Sequence, residues 1–268
     1  MVDDLYLTVA ERAVRRAASV LDDAARDLRR LPAHARDRAD VAATAGAEAE
    51  NAAIATLRAA FPDHAILGRD SAAVLGDVSN GRPGSCRWLV DPLCGATNFA
   101  HGFPYSAVSL VLIQGPQVTH AVVLDPARDE LFVAAADRGA RLNGTSLSVS
   151  TCHQLDGALV ATAFPRRDSE ERPRCVHALD ALIGCGVELR RAGAVALELA
   201  QVAAGRLDAF YAIDARPWEL AAGALLIDEA GGRAGDFAGG REVLRARDFI
   251  GAAPGVFGPL REALTARR

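Results

Sequence analysis

The sequence predicts an α/β protein made of an α+β half, residues 1–150, and an α/β half, residues 151–268, that share one cleft. Three observations carry this prediction. Apolar residues recur at helical spacing in the first sixty positions, strand-like runs dominate residues 87–142, and strands alternate with helices after residue 150. Such alternation is typical of a layered sheet covered by helices, and 268 residues are enough to bury a full core.

The N-terminal half begins with two predicted helices. Apolar positions recur from Leu5 to Leu21, Pro32 interrupts the pattern, and a second amphipathic run covers residues 42–60. A short strand at residues 64–67 is expected to end at Gly68, and residues 76–84 are typical of a loop. The next predicted strands cover residues 87–90, 107–113, 118–124, 130–135 and 141–142.

The C-terminal half alternates between strands and helices. An arginine-containing loop is predicted at residues 165–174. The predicted helices cover residues 176–183, 194–204, 218–230 and 259–266, and the predicted strands cover residues 159–163, 187–189, 207–212 and 249–250. Gly205 and Gly231 stand where two of these helices are expected to stop.

Composition excludes several classes of protein. The net charge of −4 argues against a nucleic-acid partner. No apolar run reaches the roughly 18–20 residues of a membrane span, and the acidic start differs from a signal peptide, so we expect a cytoplasmic protein without a membrane partner. All 30 basic residues are arginine, which excludes a lysine Schiff base. The five cysteines lack CxxC spacing, so neither disulfides nor a zinc site are predicted.

Two motifs give the sequence a resemblance to a known family. Residues 88–104 read W-L-V-D-P-L-C-G-A-T-N-F-A-H-G-F-P, and residues 217–223 read P-W-E-L-A-A-G before E-A-G-G at 229–232. These segments resemble the inositol monophosphatase signatures W-x-x-D-P-[IL]-D-G-T-x-N-F-x-x-G-x-P and W-D-x-A-A-G. The resemblance covers residues 36–253. It implies a layered αβαβα sandwich, usually a homodimer, that hydrolyses phosphate monoesters with Mg²⁺.

The same resemblance exposes departures at the metal-binding positions. The family's carboxylates correspond here to Gly46, Arg69, Asp70, Asp91, Cys94 and Glu219, and a threonine that orients the water corresponds to Ala96. Mg²⁺ prefers a shell of hard oxygen ligands, which a thiol and a guanidinium do not provide. We therefore expect no ordinary inositol monophosphatase activity, no cofactor and no bound metal. The alternative is that the carboxylates of Asp91 and Glu219 still hold one weakly bound cation.

Cys94 is the candidate nucleophile of the altered cleft. The resemblance places it where a strand runs into a short helix, so that the helix dipole and Arg69 are expected to lower its thiol pKa. The N–H groups of Gly95 and Ala96 would then form an oxyanion hole. Inert packing of Cys94 is the competing interpretation.

The other candidate residues also have two interpretations. Asp70, Asp91, Glu219 and His101 are possible acid–base groups, while a histidine at this position is more often structural. Arg69, Gly95, Ala96, Thr97, Gly193 and Ala194 are candidate substrate-binding residues. Arg69 alternatively neutralises the emptied metal site by pairing with carboxylates.

Three functions remain open from the sequence. The first is a repurposed metal-independent enzyme of small-molecule metabolism, including biosynthetic metabolism, in which Cys94 performs acyl transfer, thioester cleavage or cyclisation on an anionic or carrier-linked substrate. The second is a non-catalytic binding or scaffold protein. The third is a residual metal-dependent phosphomonoesterase. Coordinated replacement of the ligands favours the first.

Overall fold

The computed structural model describes residues 2–28, 30, 37–68, 85–165 and 169–266. Arg69, Asp70 and the predicted loop at residues 76–84 lie outside these ranges, as does Pro32. The described part contains seven helices: α1 (Val2–Leu28), α2 (Asp37–Ala60), α3 (Ala96–His101), α4 (Arg172–Gly184), α5 (Val195–Ala203), α6 (Pro217–Glu229) and α7 (Pro254–Thr265). No helix within the described ranges is long and apolar enough to cross a membrane.

Twelve strands form two sheets in the described residues. The strands are β1 (Ala65–Gly68), β2 (Cys86–Cys94), β3 (Ala107–Gln114), β4 (Gln117–Asp125), β5 (Glu130–Ala135), β6 (Ala140–Leu142), β7 (Thr145–Ser146), β8 (Leu159–Ala163), β9 (Glu188–Arg190), β10 (Ala209–Ala212), β11 (Arg233–Gly235) and β12 (Phe249–Ala252). The first sheet follows the order β1–β2–β3–β4–β5–β6–β7, with only β1 and β2 parallel among its paired strands. The second follows β11–β12–β10–β8–β9, in which β10, β8 and β9 are parallel and the pairs of β12 with β10 and β11 are antiparallel.

Three apolar layers hold these elements together. Helices α1 and α2 pack on the first sheet around Trp88, and α4 and α7 pack on the second sheet around Phe257. Helices α5 and α6 fill the space between the two sheets, where Leu199 and Phe210 are fully buried. Burying one such side chain contributes about 1.5–3 kcal/mol. The predicted αβαβα sandwich is therefore confirmed, whereas a division into two halves near residue 150 stays a prediction.

Several element boundaries differ from the sequence predictions. Helix α7 begins at Pro254 rather than Pro259, because a proline in the first turn lacks only an N–H that the helix does not need. Helix α4 begins at Arg172, which shortens the predicted arginine loop. The short strand β11 was not predicted, because its three residues lack a strand-length pattern.

Strand β2 also extends further than predicted, and this extension forms part of the site. It continues past Asp91 and Pro92 to Cys94. The pairing with β3 shifts register between Asp91 and Cys94. Such an irregularity tolerates a proline, because no ladder hydrogen bond is required from its missing N–H.

His64 gives the N-terminal layer a predicted sensitivity to acid. The Trp88 Nε1–H donates to His64 Nδ1 at 3.1 Å, and the His64 ring stacks on Phe61 at 4.9 Å between ring centroids. Burial lowers the pKa of His64 below its ordinary 6.5, and Asp63 opposes this shift. The neutral form is favoured in the folded chain, so its stabilisation is complete above pH 6.5 and is lost as the pH falls through the folded pKa.

We expect His64→Asn to lose less stability than the wild type between pH 8 and pH 5, because an amide does not titrate there while its oxygen still accepts a hydrogen bond. Unfolding by urea at the two pH values measures this difference. Equal losses in the two proteins would contradict the role assigned to His64.

Candidate functional site

The candidate site lies where the end of β2 meets α3 and the start of α5. Gly95 follows Cys94 with φ of +90°, a left-handed conformation that favours glycine. A Cβ on Gly95 would lie 3.0 Å from the carbonyl oxygen of Tyr105 and 3.1 Å from the Cβ of Ala194. The structure thus brings the Gly95 turn and the Gly193–Ala194 segment into close contact, as expected for residues of one site.

Cys94 faces the core rather than solvent. Its side chain is 5% exposed, and the backbone N–H of Ala196 donates to Sγ at 3.4 Å. Burial raises the pKa of the Cys94 thiol well above its ordinary value, and the carboxylates of Asp91, Glu219 and Glu198 raise it further. The predicted lowering of this pKa is therefore wrong, because desolvation and three nearby acids outweigh one backbone donor.

The helix that Cys94 meets also differs from the prediction. Cys94 precedes the six-residue helix α3, but its sulfur is directed to the first turn of α5. The N–H groups of Gly95 and Ala96 thus follow a neutral, buried thiol, so the geometry does not favour their use as an oxyanion hole. The roles of these two residues in substrate binding stay predictions.

Two predicted acids do lie near Cys94. Asp91 is buried in β2, and Glu219 stands in the first turn of α6, where its Oε2 accepts the backbone N–H of Arg216 at 3.2 Å. Both carboxylates act electrostatically on the thiol. Both carboxylates therefore oppose ionisation of the thiol, and Glu219 also caps its own helix.

Sequence reasoning missed a third acid, Glu198 of α5. This side chain is 1% exposed, and its Oε1 accepts the backbone N–H of Ala192 at 2.8 Å. Its Oε2 is buried and accepts no hydrogen bond from the described residues. Burial raises the pKa of Glu198 to about 7, while the backbone N–H groups of Ala192 and Gly193 and the charge of Arg191 oppose this shift. Glu198 is the one acid in the helix V-A-L-E-L-A-Q-V-A, a signal visible in the sequence.

Asn98 joins the two loops that flank Glu198. Its Nδ2 donates to the carbonyl oxygens of Tyr105 and Ala192, both at 2.7 Å. The backbone of Ala192 is therefore held at its carbonyl oxygen by Asn98 and at its N–H by Glu198. Gly193 follows with φ of +88°, which completes the turn into α5.

Thr97 and His101 lie on a different side of α3. They line an open groove of about 450 Å³ between α2 and α3, together with Ala43, Gly46 and Leu93. Both side chains are exposed, whereas Cys94 belongs to the core between the sheets. His101 and Cys94 therefore occupy different surroundings, and His101 as an acid–base partner of the thiol stays a prediction without structural support.

The described residues do not fit the Mg²⁺ ions that the resemblance implies. Position 46 has no side chain, and a Cβ there would lie 3.8 Å from the Cβ of Leu93. Position 94 offers a buried, protonated thiol instead of a carboxylate. Within the described ranges, no group of three or more His, Cys, Asp or Glu side chains is arranged to hold a metal ion. A hard cation that prefers six oxygen ligands thus lacks two of the expected donors.

Comparisons with known proteins agree with this fold. A sequence model described as the inositol monophosphatase family matches residues 3–267. A Pseudomonas aeruginosa protein named Nus factor SuhB is 41% identical over 240 residues, which cover 89% of this chain and 88% of that protein. The solved structure of the extragenic suppressor protein SuhB from Bartonella henselae is 28% identical with a TM-score of 0.84, covering 98% of this chain and 100% of that one.

A structure of inositol monophosphatase from Anabaena shows the same likeness. It is 27% identical to this chain with a TM-score of 0.83, and the match covers 98% of this chain and 96% of that one. The family match over nearly the whole sequence agrees with the signature at residues 88–104 and with the five layers of the structure. The chain therefore belongs to the inositol monophosphatase family.

Proposed function

We propose that this chain is a SuhB-like, transcription-related factor that acts by binding a partner and has lost Mg²⁺-dependent phosphatase activity. The observation that carries the proposal is the 41% identity with a protein named Nus factor SuhB, which extends over 89% of this chain. Resemblance along the whole length favours a shared mode of action more strongly than a local motif does. Fold alone would not separate a factor from an enzyme.

The chemistry of the cleft favours binding over hydrolysis. Phosphate-ester hydrolysis in a two-metal site needs ions that hold both the attacking and the leaving oxygen. Gly46 and Cys94 remove two carboxylates from such a site, and the Cys94 thiol is buried against Ala196. A neutral buried thiol is also a poor nucleophile, so acyl transfer through Cys94 draws no support from its surroundings.

The partners follow from the same proposal. We no longer expect the chain to lack a nucleic-acid partner, because a transcription-related factor works close to nucleic acid. A homodimer remains proposed on the family resemblance, and sedimentation or gel filtration with light scattering tests it. A cytoplasmic location likewise stays a prediction.

We expect the purified chain to bind a defined transcription elongation complex, made of RNA polymerase, template and nascent RNA, and to show no Mg²⁺-dependent release of phosphate from myo-inositol 1-phosphate. Retention of the chain on immobilised complexes measures the first property. A phosphate-release assay in excess MgCl₂ measures the second.

Two other results would each replace the proposal. Hydrolysis that requires Mg²⁺ and disappears in Asp91→Asn would identify a residual phosphatase. Turnover of an acyl thioester that disappears in Cys94→Ala but survives in Cys185→Ala would identify the metal-independent enzyme, since Cys185 is an exposed cysteine at the end of α4 and serves as the matched control.

A further inference from the structure

Arginine side chains cover the outer face of α1 near the middle of the helix. Arg12, Arg15 and Arg16 are all exposed, and Arg12 and Arg16 stand about 6 Å apart along the helix axis, close to one turn. Arg15 Nη1 donates to Oδ1 of Asp129 at 2.8 Å, which places the turn between β4 and β5 beside the helix. Among the residues that the structure describes, neither Arg12 nor Arg16 has an ion-pair partner.

The first sheet adds a further arginine on the same side of the protein. Arg141 of β6 lies opposite Val133 of β5, and residues opposite each other in an antiparallel pair project to the same face of the sheet. Val133 packs against the apolar layer that α1 and α2 form with this sheet, so the exposed side chain of Arg141 projects to the side that α1 covers. We call the surface formed by Arg12, Arg15, Arg16 and Arg141 the arginine face.

The acidic side chains of this surface do not neutralise it. Asp129 is engaged by Arg15, and Asp4 at the start of α1 lies 3.3 Å from Arg138. Glu11 is partly buried beside Arg15. The guanidinium groups of Arg12, Arg16 and Arg141 therefore keep their charge without a carboxylate in contact, within the part of the chain that the structure covers.

The composition of the arginine face favours a polyanion over a protein. The exposed positions between its arginines on α1 include Thr8 and Ser19, so this part of the surface lacks the apolar or aromatic anchor at the centre of most protein interfaces. A planar guanidinium group matches the geometry of a phosphate. The chain carries −4 as a whole, but binding of a polyanion depends on the local field.

We propose that the arginine face binds the phosphate backbone of RNA without reading its sequence. The proposal rests on the proposed function, which brings the chain to a complex that contains nascent RNA. It goes further by naming the surface and the chemical group that this surface recognises. Contacts with phosphates position a protein on a nucleic acid and carry no sequence information, in agreement with a surface that has no pocket for a base.

Binding of a labelled single-stranded RNA of mixed sequence, followed by fluorescence anisotropy between about 50 and 200 mM KCl, tests this proposal. The wild type is expected to bind with an affinity that falls steeply with salt. Arg12→Gln/Arg16→Gln/Arg141→Gln is expected to bind about 10-fold more weakly or worse at the lowest salt. Its plot of log affinity against log salt should be less steep by about 2, since each lost phosphate contact removes about 0.7 from the slope.

The charge-matched control is Arg26→Gln/Arg190→Gln/Arg241→Gln. It removes three exposed arginines from other surfaces, where each lies within 4 Å of a carboxylate. This control should stay close to the wild type in affinity and in salt dependence. Both variants should unfold at the wild-type temperature, because exposed arginines contribute little to stability.

Three results would overturn the proposal. The first is equal RNA affinity of the two triple variants, and the second is a wild type without salt-dependent affinity for RNA. The third uses elongation complexes whose protruding RNA has been digested. If these complexes retain the wild type and lose the arginine-face variant, while that variant still binds free RNA, the surface recognises an acidic protein instead.

The same measurements separate this proposal from the proposed function. A wild type that binds free RNA through the arginine face but is not retained on elongation complexes removes the proposed function and leaves this proposal standing. Retention of the wild type and of both triple variants on those complexes, with equal RNA affinities, does the reverse.

Discussion

Glu198→Gln is expected to be more stable than the wild type at pH 8 and nearly equal to it at pH 4.5. In the folded chain the pKa of Glu198 is raised from 4.5 to about 7 by burial. The folded state therefore holds a proton that the unfolded state releases, and the contribution of Glu198 to wild-type stability falls as the pH rises from 4.5 to 7. One pKa unit corresponds to about 1.4 kcal/mol, so the loss is on the order of 3 kcal/mol.

The glutamine variant removes this loss while keeping the hydrogen bond. Its amide oxygen can accept the Ala192 N–H that now reaches Oε1 of Glu198 at 2.8 Å. Its amide group carries no charge into the buried position that Oε2 occupies without a hydrogen bond from the described residues. Urea unfolding at pH 4.5, 6, 7 and 8 gives the stability of both proteins, and their difference should grow with pH up to about 7 and then level off.

Glu198→Ala is the control that separates charge from contact. Alanine removes the same charge but leaves the Ala192 N–H without its acceptor and opens a cavity in the core between the sheets. A buried donor left unpaired costs about 1–3 kcal/mol. The alanine variant should therefore be less stable than the glutamine variant at every pH. A wild type and a glutamine variant with parallel pH profiles would contradict the raised pKa.

Glu198 affects the rest of the site through the backbone of Ala192. Asn98 holds its carbonyl oxygen and Glu198 holds its N–H, so the turn that carries Gly193 and Ala194 depends on both side chains. This turn contacts Gly95, which directly follows Cys94. Near neutral pH, a change in the charge of Glu198 therefore acts on the contact between Gly95 and the turn at Gly193 and Ala194.

The fold was largely predictable because its signals are local. Helical spacing identified α1 and α2, and the segment around Trp88 and Pro104 carried the family resemblance before any contact was known. Pro254 and Pro259 show where local reasoning fails. Either proline suits the first turn of a helix, and the choice depends on Val256 and Phe257 being buried against the second sheet.

The sequence predicted where Cys94 and Gly95 lie, but it did not predict the electrostatics around the thiol. The motif placed Cys94 correctly before α3, yet its hydrogen-bond donor, Ala196, lies 102 residues further along the chain. The sign of the pKa change depends on burial and on Glu198 and Glu219, which come from the second half of the sequence. A local motif contains neither the depth of a side chain nor the charges that distant segments bring to it.

Gly223→Ala and Gly46→Ala are expected to change stability in opposite directions, although both replace a glycine inside a helix. Alanine favours a helix over glycine by about 1 kcal/mol in either position. At Gly46 the new Cβ would meet only Leu93, at an ordinary contact distance of 3.8 Å. Gly46→Ala should therefore stabilise the chain by about 0.5–1 kcal/mol.

At Gly223 the same methyl group has no room. An added Cβ would lie 2.1 Å from the Cβ of Leu199, where α6 crosses α5 between the two sheets. The Cβ of Leu199 is fixed to its backbone, so the two helices must move apart in the core that carries Glu198. Overpacking of this kind costs about 1–3 kcal/mol or more, which exceeds the gain in helix propensity.

Urea unfolding of both variants at one pH measures the two effects. If the contacts of the added Cβ determine stability, the wild type is less stable than Gly46→Ala and more stable than Gly223→Ala. A stabilised Gly223→Ala would mean that α5 and α6 can separate at little cost. The close approach of α5 and α6 would then place no constraint on α5, whose first turn follows Gly193 and Ala194. A destabilised Gly223→Ala beside a stabilised Gly46→Ala would show that α5 and α6 are tightly packed between the sheets, whereas α2 has room for a methyl group at position 46.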